Sequence, residues 1–403
     1  MSTSLLYHAF SIRGYEYVRT EYQDGQVIFT IRQEPKTCRC EACGSRHVQP
    51  RGRVERRFRS LPIGSRATTV VFPIPRVACQ AWGVIRQVEI AFADPRRTYT
   101  KAFERYALEL SRCMTIFDVA RHLGVSWDII KDIQKRDLSH RYAKPQLKHL
   151  RQIAIAEIAV AKGHRYVTVV LNLESGAVVF GGDGKGADAL KPFWKRLRGS
   201  KARIEAVAMD MSPAYHDAVS THLPEATIVY DHFHVIKLFN DKLSDLRRSL
   251  YHQAEDEQKK GLKGVRWLLL KAPEHLDAER DEEARLEEAL KLNKPLAIAY
   301  YLKEDLRQCW EQPGKRFAAA FLNDWIKRAE ASGVRMLRQM ARTLEAHRSG
   351  LLAYYDYPIS TGPLEGTNNK IKTMKRQAYG FRDHEFFKLK ILAIHEAKYA
   401  LVG

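Results

Sequence analysis

The sequence predicts an α+β multidomain chain built around a mixed sheet that a long helical insertion interrupts. Three observations predict it. Residues 150 to about 235 alternate strand-like and helix-like patterns. Residues 236 to about 354 are almost wholly helical and charge-rich. The first 149 residues change character once, from β-rich with clustered cysteines to helical. With 403 residues, the chain has room for roughly two to four domains with cores of their own.

Bulk properties narrow the class. Hydrophobic residues make up 45%, a globular value. No run of ~18 apolar residues occurs, and the start "MSTSLLYHAF" lacks a basic end, a long apolar stretch and a small-residue cleavage site. The expectation is a soluble protein with no membrane partner. Lys and Arg number 67 against 47 Asp and Glu, a formal charge of +20 that suits a polyanion, most simply nucleic acid. The six cysteines are too few for a disulfide framework in a chain this long.

The first domain, 1–94, opens with alternating residues in "YEYVRTEYQDGQVIFTIRQ", where Asp24-Gly25 marks a hairpin turn. Cysteines follow in "CRCEACG" and "RVACQAWG". Cys40-x-x-Cys43 is half of a tetrahedral thiolate site, and a second Cys-x-x-Cys would fall at 79 and 82. Position 82 is Trp, so Zn²⁺ is expected on Cys40, Cys43 and Cys79, with Cys38 or His47 as fourth ligand. Cys113 and Cys309 lie in helical, apolar contexts and read as core thiols.

The second domain, 95–149, contains "TIFDVARHLGVSWDIIKDIQKRDL", two helices with a bend at Gly124. Ile116, Val119, Ala120, Leu123, Val125, Ile129 and Ile130 would pack inside, with Ser126 capping the second helix. That helix would turn Ser126, Trp127, Asp128, Lys131 and Lys135 outward, as a helix docked in the major groove does. An ordinary helical corner has the same pattern, and the net charge favours the DNA-binding reading.

The third domain begins at 150. "AIAEIAV", a tight turn at Lys162-Gly163-His164, "RYVTVVLNL" and "AVVFGG" read as an antiparallel meander. Helix "ADALKPFWKRLR", strand "IEAVAMD", helix "PAYHDAVSTHL" and strand "TIVYD" follow, through about 235. This is the strand order of a ribonuclease-H-like sheet, which sets its first and fourth strands side by side in parallel. Asp210 ends the fourth strand, where such sheets bind ligands, although an Asp there also suits a helix cap. After the insertion (236–354), residues 355–403 complete the sheet domain with one long helix. In "STGPLEGTNNKIKTMKRQ", Glu365 leads a face carrying Asn368, Asn369, Lys372 and Arg376. A solvated basic face is the competing reading. "YDHFHVIK" adds Asp231, a helix cap, and His234, a buried hydrogen-bonded or accessory residue.

Taken together, "CEACGS", "RVAC", the helix pair, "EIAVAKGHRYVTVVLNLESG", "VAMDMSPAY", "DHFHVIK" and "GPLEGTNNKIKTMKRQAYGFR" resemble the bacterial insertion-sequence transposases called ISL-three, over most of the chain. The resemblance implies a DDE catalytic domain of ribonuclease-H-like fold with a helical insertion before its last carboxylate. Here that spacing is 365 − 210 = 155 residues, enough to hold residues 236–354. Asp210 and Glu365 match the second and third acidic positions. The first falls at 156, where the family pattern is Asp-Glu and this chain has Ala156-Glu157. Successive strand residues face opposite sides, so Glu157 should not substitute. The intact remainder of the site reads as a single inactivating substitution rather than decay.

The resemblance further implies Mg²⁺ (or Mn²⁺) at the carboxylates, hydrolysis at element ends and strand transfer by the freed 3′-hydroxyl. Double-stranded DNA partners would be terminal inverted repeats and target DNA, with Lys370, Lys372, Lys375 and Arg376 on the backbone near the cut. A homodimer would bring two ends together, in the bacterial cytoplasm and associated with the nucleoid. Two other readings share the binding features: a non-catalytic sequence-specific DNA-binding protein, such as a domesticated transposase or repressor, and a structure-selective nuclease.

Overall fold

The computed structural model describes residues 5–161, 165–255, 259, 262–263 and 265–395. The expected turn at Lys162-Gly163-His164 lies outside them. Two compact units emerge among the described residues, 5–143 and 144–395.

In the first unit, a short helix α1 (Leu5–Phe10) precedes strands β1 (Glu16–Gln23), β2 (Gln26–Arg32), β3 (Val48–Ile63), β4 (Arg66–Cys79) and β5 (Ile85–Gln87). They form one sheet in the order β1-β2-β4-β3, with β5 also on β4. Asp24 and Gly25 both take positive φ in the β1–β2 turn, as a two-residue hairpin loop requires. Alternate residues of β2 and β4, among them Phe29, Ile31, Phe72 and Ile74, enter a core with Phe10 and Phe58. Helices α2 (Lys101–Leu110), α3 (Ile116–Leu123) and α4 (Trp127–Tyr142) follow. They bury Val119, Ala120, Leu123 and Ile130 and pack Ile116, Val125 and Ile129 against them, the seven apolar positions expected. Gly124 ends α3 in the left-handed conformation at φ 61°, which bends the chain into α4.

Two local expectations differ. Ser126 occupies the N-cap position of α4 with extended backbone, but its side chain makes no capping hydrogen bond. Thr115 is the side-chain cap in this pair, accepting from the Asp118 N–H at 3.1 Å. Cys113 is exposed, because α2 ends at Leu110 and the thiol falls in the turn beyond it; Cys309 is buried, as expected.

In the second unit, β6 (Gln152–Ala161), β7 (Arg165–Asn172), β8 (Val178–Asp183), β9 (Ala206–Met209) and β10 (Thr227–Tyr230) form a sheet ordered β10-β9-β6-β7-β8. β6, β7 and β8 are antiparallel neighbours, and β9 lies parallel to β6 and β10 parallel to β9. This is the predicted ribonuclease-H-like order. Its crossovers are α5 (Ala187–Arg198) and α6 (Pro213–His222).

From β10 the chain enters α7 (His232–Gln253) and the insertion, which includes α8 (Arg266–Leu270), α9 (Glu282–Leu292), α10 (Lys294–Arg307), α11 (Lys315–Ala331), α12 (Arg335–Ala346) and α13 (Arg348–Leu352). It returns as two helices rather than one, α14 (Gly362–Gln377) and α15 (His384–Leu392). Gly380 takes φ 98° between them, and Asp383 caps the second.

The pleat divides the unit into two cores. Ile153, Ile155, Val207 and Met209 face α5, α6 and the insertion, where Leu190, Phe193, Tyr215 and Trp325 are buried. Ala154, Ile158, Ala206 and Ala208 face the other way, onto Leu364 and Ile371 of α14 and Phe387 and Ile391 of α15.

Candidate functional site

Strand alternation decides what positions 156 and 157 can do. Ala156 is half-buried and packs with the core of the α14 side. Glu157 points to the opposite face. Its Oε1 accepts from the Tyr215 hydroxyl at 2.8 Å and from the Gly186 N–H at 3.0 Å. Gly186 N–H also reaches the Tyr215 oxygen at 3.1 Å, and Thr168 Oγ1 lies 3.0 Å from it. Burial, helped by the Glu157 carboxylate, pushes the Tyr215 phenol up, so it stays a protonated donor. Glu157 thereby ties β6 to the start of α5. Neither Tyr215 nor Gly186 carried a sequence signal for this role, because the contacts span 58 and 29 residues.

On the Ala156 side, Gln152, Ile153 and Ala154 pair with Ala206, Val207 and Ala208. Extended by two residues, that register sets Ala156, on the face that receives α14, level with Asp210 just beyond the end of β9. Asp210 is half-buried just beyond β9, and its Oδ1 accepts from the Ser212 N–H at 3.1 Å. It thus closes a turn without being the α6 cap, whose position Ser212 holds. Next to β9, burial and the charges of Asp210 and Asp217 push Tyr230 up to about 12.

Glu365 lies exposed in the first turn of α14, adjoining Leu364, which is buried against the sheet. Asn369, Lys370, Lys372 and Arg376 are exposed; Asn368 and Lys375 are half-buried. The Asn368 Oδ1 is buried without a hydrogen-bond partner. The start of α14 is held by a long-range network. Asp231 caps α7, and its Oδ2 accepts from Thr361 Oγ1 and approaches His234 Nδ1 at 3.1 Å. Asp231 and Thr361 are both 2% exposed. Burial works to raise Asp231, yet the bonds from His234 and Thr361 hold its carboxyl below the ordinary value. Thr361, the N-cap residue of α14, therefore spends its hydroxyl on Asp231 rather than on its own helix.

The three positions carry, at 156, a methyl group and, at 210 and 365, carboxylates, the last on α14 itself. Among the described residues, the group of three or more metal-type side chains that converges is elsewhere, at Cys40, Cys43 and Cys79. Their ligand atoms lie within 4.8 Å of one another, and Cys43 Sγ is 3.5 Å from Cys79 Sγ. Four thiolates around zinc at about 2.3 Å would stand about 3.8 Å apart, so the trio fits the metal. The Cys43 N–H pulls the Cys40 thiol below its ordinary value, while at Cys43 the Ser45 N–H works the same way but the neighbouring Cys79 and Cys40 sulfurs hold that thiol above its own. Neither expected fourth ligand joins the group. Cys38 is 6% exposed in the sheet core and directs its thiol to the Glu34 carbonyl; His47 is exposed.

On α4, Ser126, Trp127 and Asp128 are exposed, Trp127 at 51%, while Lys131 and Lys135 are half-exposed. The Lys131 ammonium sits 5.7 Å from the Trp127 ring centroid. Phe117, 67% exposed on α3, adds an apolar surface that the pattern of buried positions did not single out.

Along the chain, a cysteine module, a helix pair and a mixed sheet interrupted by a helical insertion follow one another. Residues 153–391 match a family model described as "Transposase". Residues 88–137 match "Helix-turn-helix domain of transposase family ISL3", and residues 36–81 match "zinc-finger of transposase IS204/IS1001/IS1096/IS1165". The transposase for insertion sequence element IS1001 of Bordetella parapertussis is 33% identical over 388 residues, 94% of this chain and 95% of that protein. The transposase for insertion sequence element IS1557 of Mycobacterium tuberculosis is 29% identical, over 92% of this chain and 89% of its own length. The solved Drosophila P element transposase strand transfer complex superposes at a TM-score of 0.33 with 10% identity, covering 66% of this chain and 81% of that one. The chain belongs to the transposase family ISL3. Among the described residues, no helix is long and apolar enough to cross a membrane.

Proposed function

We propose that this chain binds the terminal inverted repeats of an insertion sequence and, as written, cuts them poorly or not at all. The observation that carries the reading is Ala156, on the face that receives the Glu365 helix and level with Asp210. Asp210 and Glu365 would hold a divalent cation, Mg²⁺ or Mn²⁺. The chemistry such a cation supplies is activation of the attacking oxygen and stabilisation of the leaving one. Position 156 adds no donor, so two carboxylates, where three are needed, would be left to hold the cations that offset the charge developing in phosphodiester cleavage. Cys40, Cys43 and Cys79 would hold zinc.

Residues 1–94 and 95–149 supply end recognition, with Ser126, Trp127, Lys131 and Lys135 toward the major groove. Residues 150–235 and 355–403 form the catalytic domain around the insertion at 236–354. The exposed Asn369, Lys370, Lys372 and Arg376, with Asn368 and Lys375, line the DNA backbone beside the cut. Glu157, Asp231 and His234 support the site without ligating metal. Two copies would hold two ends, target DNA would enter the same assembly, and the protein would act in the bacterial cytoplasm on the nucleoid.

Ala156 also favours a second reading, a domesticated transposase or repressor that binds DNA without cutting. Both readings predict tighter binding of an element-end duplex than of a scrambled duplex at equal salt, with no Mg²⁺-dependent nicking. Equal affinity for both duplexes would refute end recognition. Efficient nicking by the unmodified chain would refute the assignment of position 156.

A further inference from the structure

We infer that the three-cysteine site holds its metal with one coordination position open to solvent, and that this position takes a low-molecular-weight thiolate. The inference deepens the zinc reading and rests on it.

The evidence is the backbone of the two cysteine turns. In Cys40-Glu41-Ala42-Cys43-Gly44, the Cys40 N–H donates to the Ser45 carbonyl at 2.9 Å, and the Gly44 N–H donates back to the Cys40 carbonyl at 2.8 Å. In Cys79-Gln80-Ala81-Trp82-Gly83, the Cys79 N–H donates to the Val84 carbonyl at 2.9 Å, and the Gly83 N–H donates to the Cys79 carbonyl at 2.8 Å. The two glycines take φ 71° and 67°. Both turns thus have the same hydrogen bonds and the same left-handed closing glycine. The second keeps the shape of a metal-ligating turn, but Trp82 stands where the first has Cys43.

Among the described residues no fourth metal-type side chain joins Cys40, Cys43 and Cys79, although the His47 carbonyl accepts from the Gln80 N–H at 3.0 Å beside Cys79. Cys38 is committed to the sheet core, with its thiol on Glu34. Trp82, at 65% exposed, stands out in solvent instead of covering the gap. An indole offers no lone pair to a metal, since its nitrogen is a donor only.

Zinc in structural sites is four-coordinate, so three protein thiolates leave one position for an exogenous ligand. A small thiol would supply the fourth sulfur as its thiolate, giving its proton to solvent and displacing the solvent ligand. The oxidation state does not change. A thiolate is preferred over an oxygen donor because the existing ligands are soft.

The test uses the full chain loaded with cobalt(II) in place of zinc, and first measures metal content. Stoichiometric metal supports the parent reading; its absence in a folded protein defeats that reading and this inference with it. On adding 2-mercaptoethanol, the thiolate-to-cobalt charge-transfer band should grow by about one third, as three sulfurs become four. Trp82→Cys should start at the higher intensity and not respond. Should Trp82→Cys fold poorly, Cys43→Ser supplies the scale, lowering the starting band by about one third. His47→Ala should behave as the unmodified protein. A band in the unmodified protein that ignores the thiol, or one that becomes thiol-responsive only in His47→Ala, would overturn the open position.

Discussion

The carboxylate of Glu157 tests whether strand alternation has been read correctly, because a ligand and a strut respond differently to the same substitutions. Glu157→Ala removes the acceptor of the Tyr215 hydroxyl at 2.8 Å and one acceptor of the Gly186 N–H at 3.0 Å. Gly186 keeps the Tyr215 oxygen at 3.1 Å, so the main loss is the bond from a phenol that is 1% exposed to a charged acceptor. Hydrogen bonds to charged groups contribute about 1.5–3 kcal/mol, and a half-buried carboxylate places the cost near 2 kcal/mol. For a unit of this size, that lowers Tm by about 4–8 °C. Glu157→Gln keeps a neutral acceptor and should cost about 1 kcal/mol. Tyr215→Phe removes the same bond from the other side, so combining it with Glu157→Ala should cost clearly less than the two singly. Thermal melts of the full chain, followed by near-UV circular dichroism, read the four variants beside the unmodified protein. If Glu157→Gln and Glu157→Ala melt with the unmodified chain while Mn²⁺ affinity collapses, Glu157 is a metal ligand and the two-face argument fails.

Other outcomes follow from the same contacts. Lys131→Ala should weaken binding to element-end and scrambled DNA alike, with the salt slope reduced by about one, whereas Trp127→Ala should reduce discrimination between them; binding titrations at several salt concentrations in which neither changes would make the helix pair a structural corner. Thr361→Val keeps the shape of the side chain but strips a donor from buried Asp231, and should cost about 2 kcal/mol in urea unfolding while leaving end binding by the first unit intact. Because Asp231 titrates below its unfolded value, the stability it contributes is present above the ordinary Asp range near pH 4 and is lost as pH falls through its lowered folded value. The acid arm of a stability profile should therefore flatten in Thr361→Val, and an unchanged arm would show that Asp231 does not need this donor.

Much of this architecture was legible because it depends on local periodicity. Alternation in "AIAEIAV" set 156 and 157 on opposite faces, and the strand and helix sequence through Asp231 fixed which strand ends meet. The seven apolar positions around Gly124 defined the helix pair. What escaped depends on contacts that no period encodes. Thr361 and Asp231 lie 130 residues apart, and a threonine ahead of a helix reads as a cap until its partner is known. Ser126 sits at the right position and in the right backbone conformation, but position alone does not make the bond. Cys38 falls two residues from Cys40, yet the fold buries it in the sheet core, away from the converging trio, a distinction spacing cannot draw. Glu157 was placed on the correct face, while its partners Tyr215 and Gly186 were reached only through the crossover geometry.

The most direct test of the central claim is Mg²⁺-dependent cleavage of an element-end duplex by the Ala156→Asp protein beside the unmodified chain. Restoring a carboxylate level with Asp210 should raise the cleavage rate at least about a thousandfold, the scale of several kcal/mol of transition-state stabilisation. Asp210→Ala or Glu365→Ala in the restored protein should abolish that gain and leave end binding unchanged. Cleavage by the unmodified chain at a rate matching Ala156→Asp would contradict the account. An inactive Ala156→Asp protein that still binds its ends would show that the chain is a DNA-binding protein whose site has lost more than one side chain.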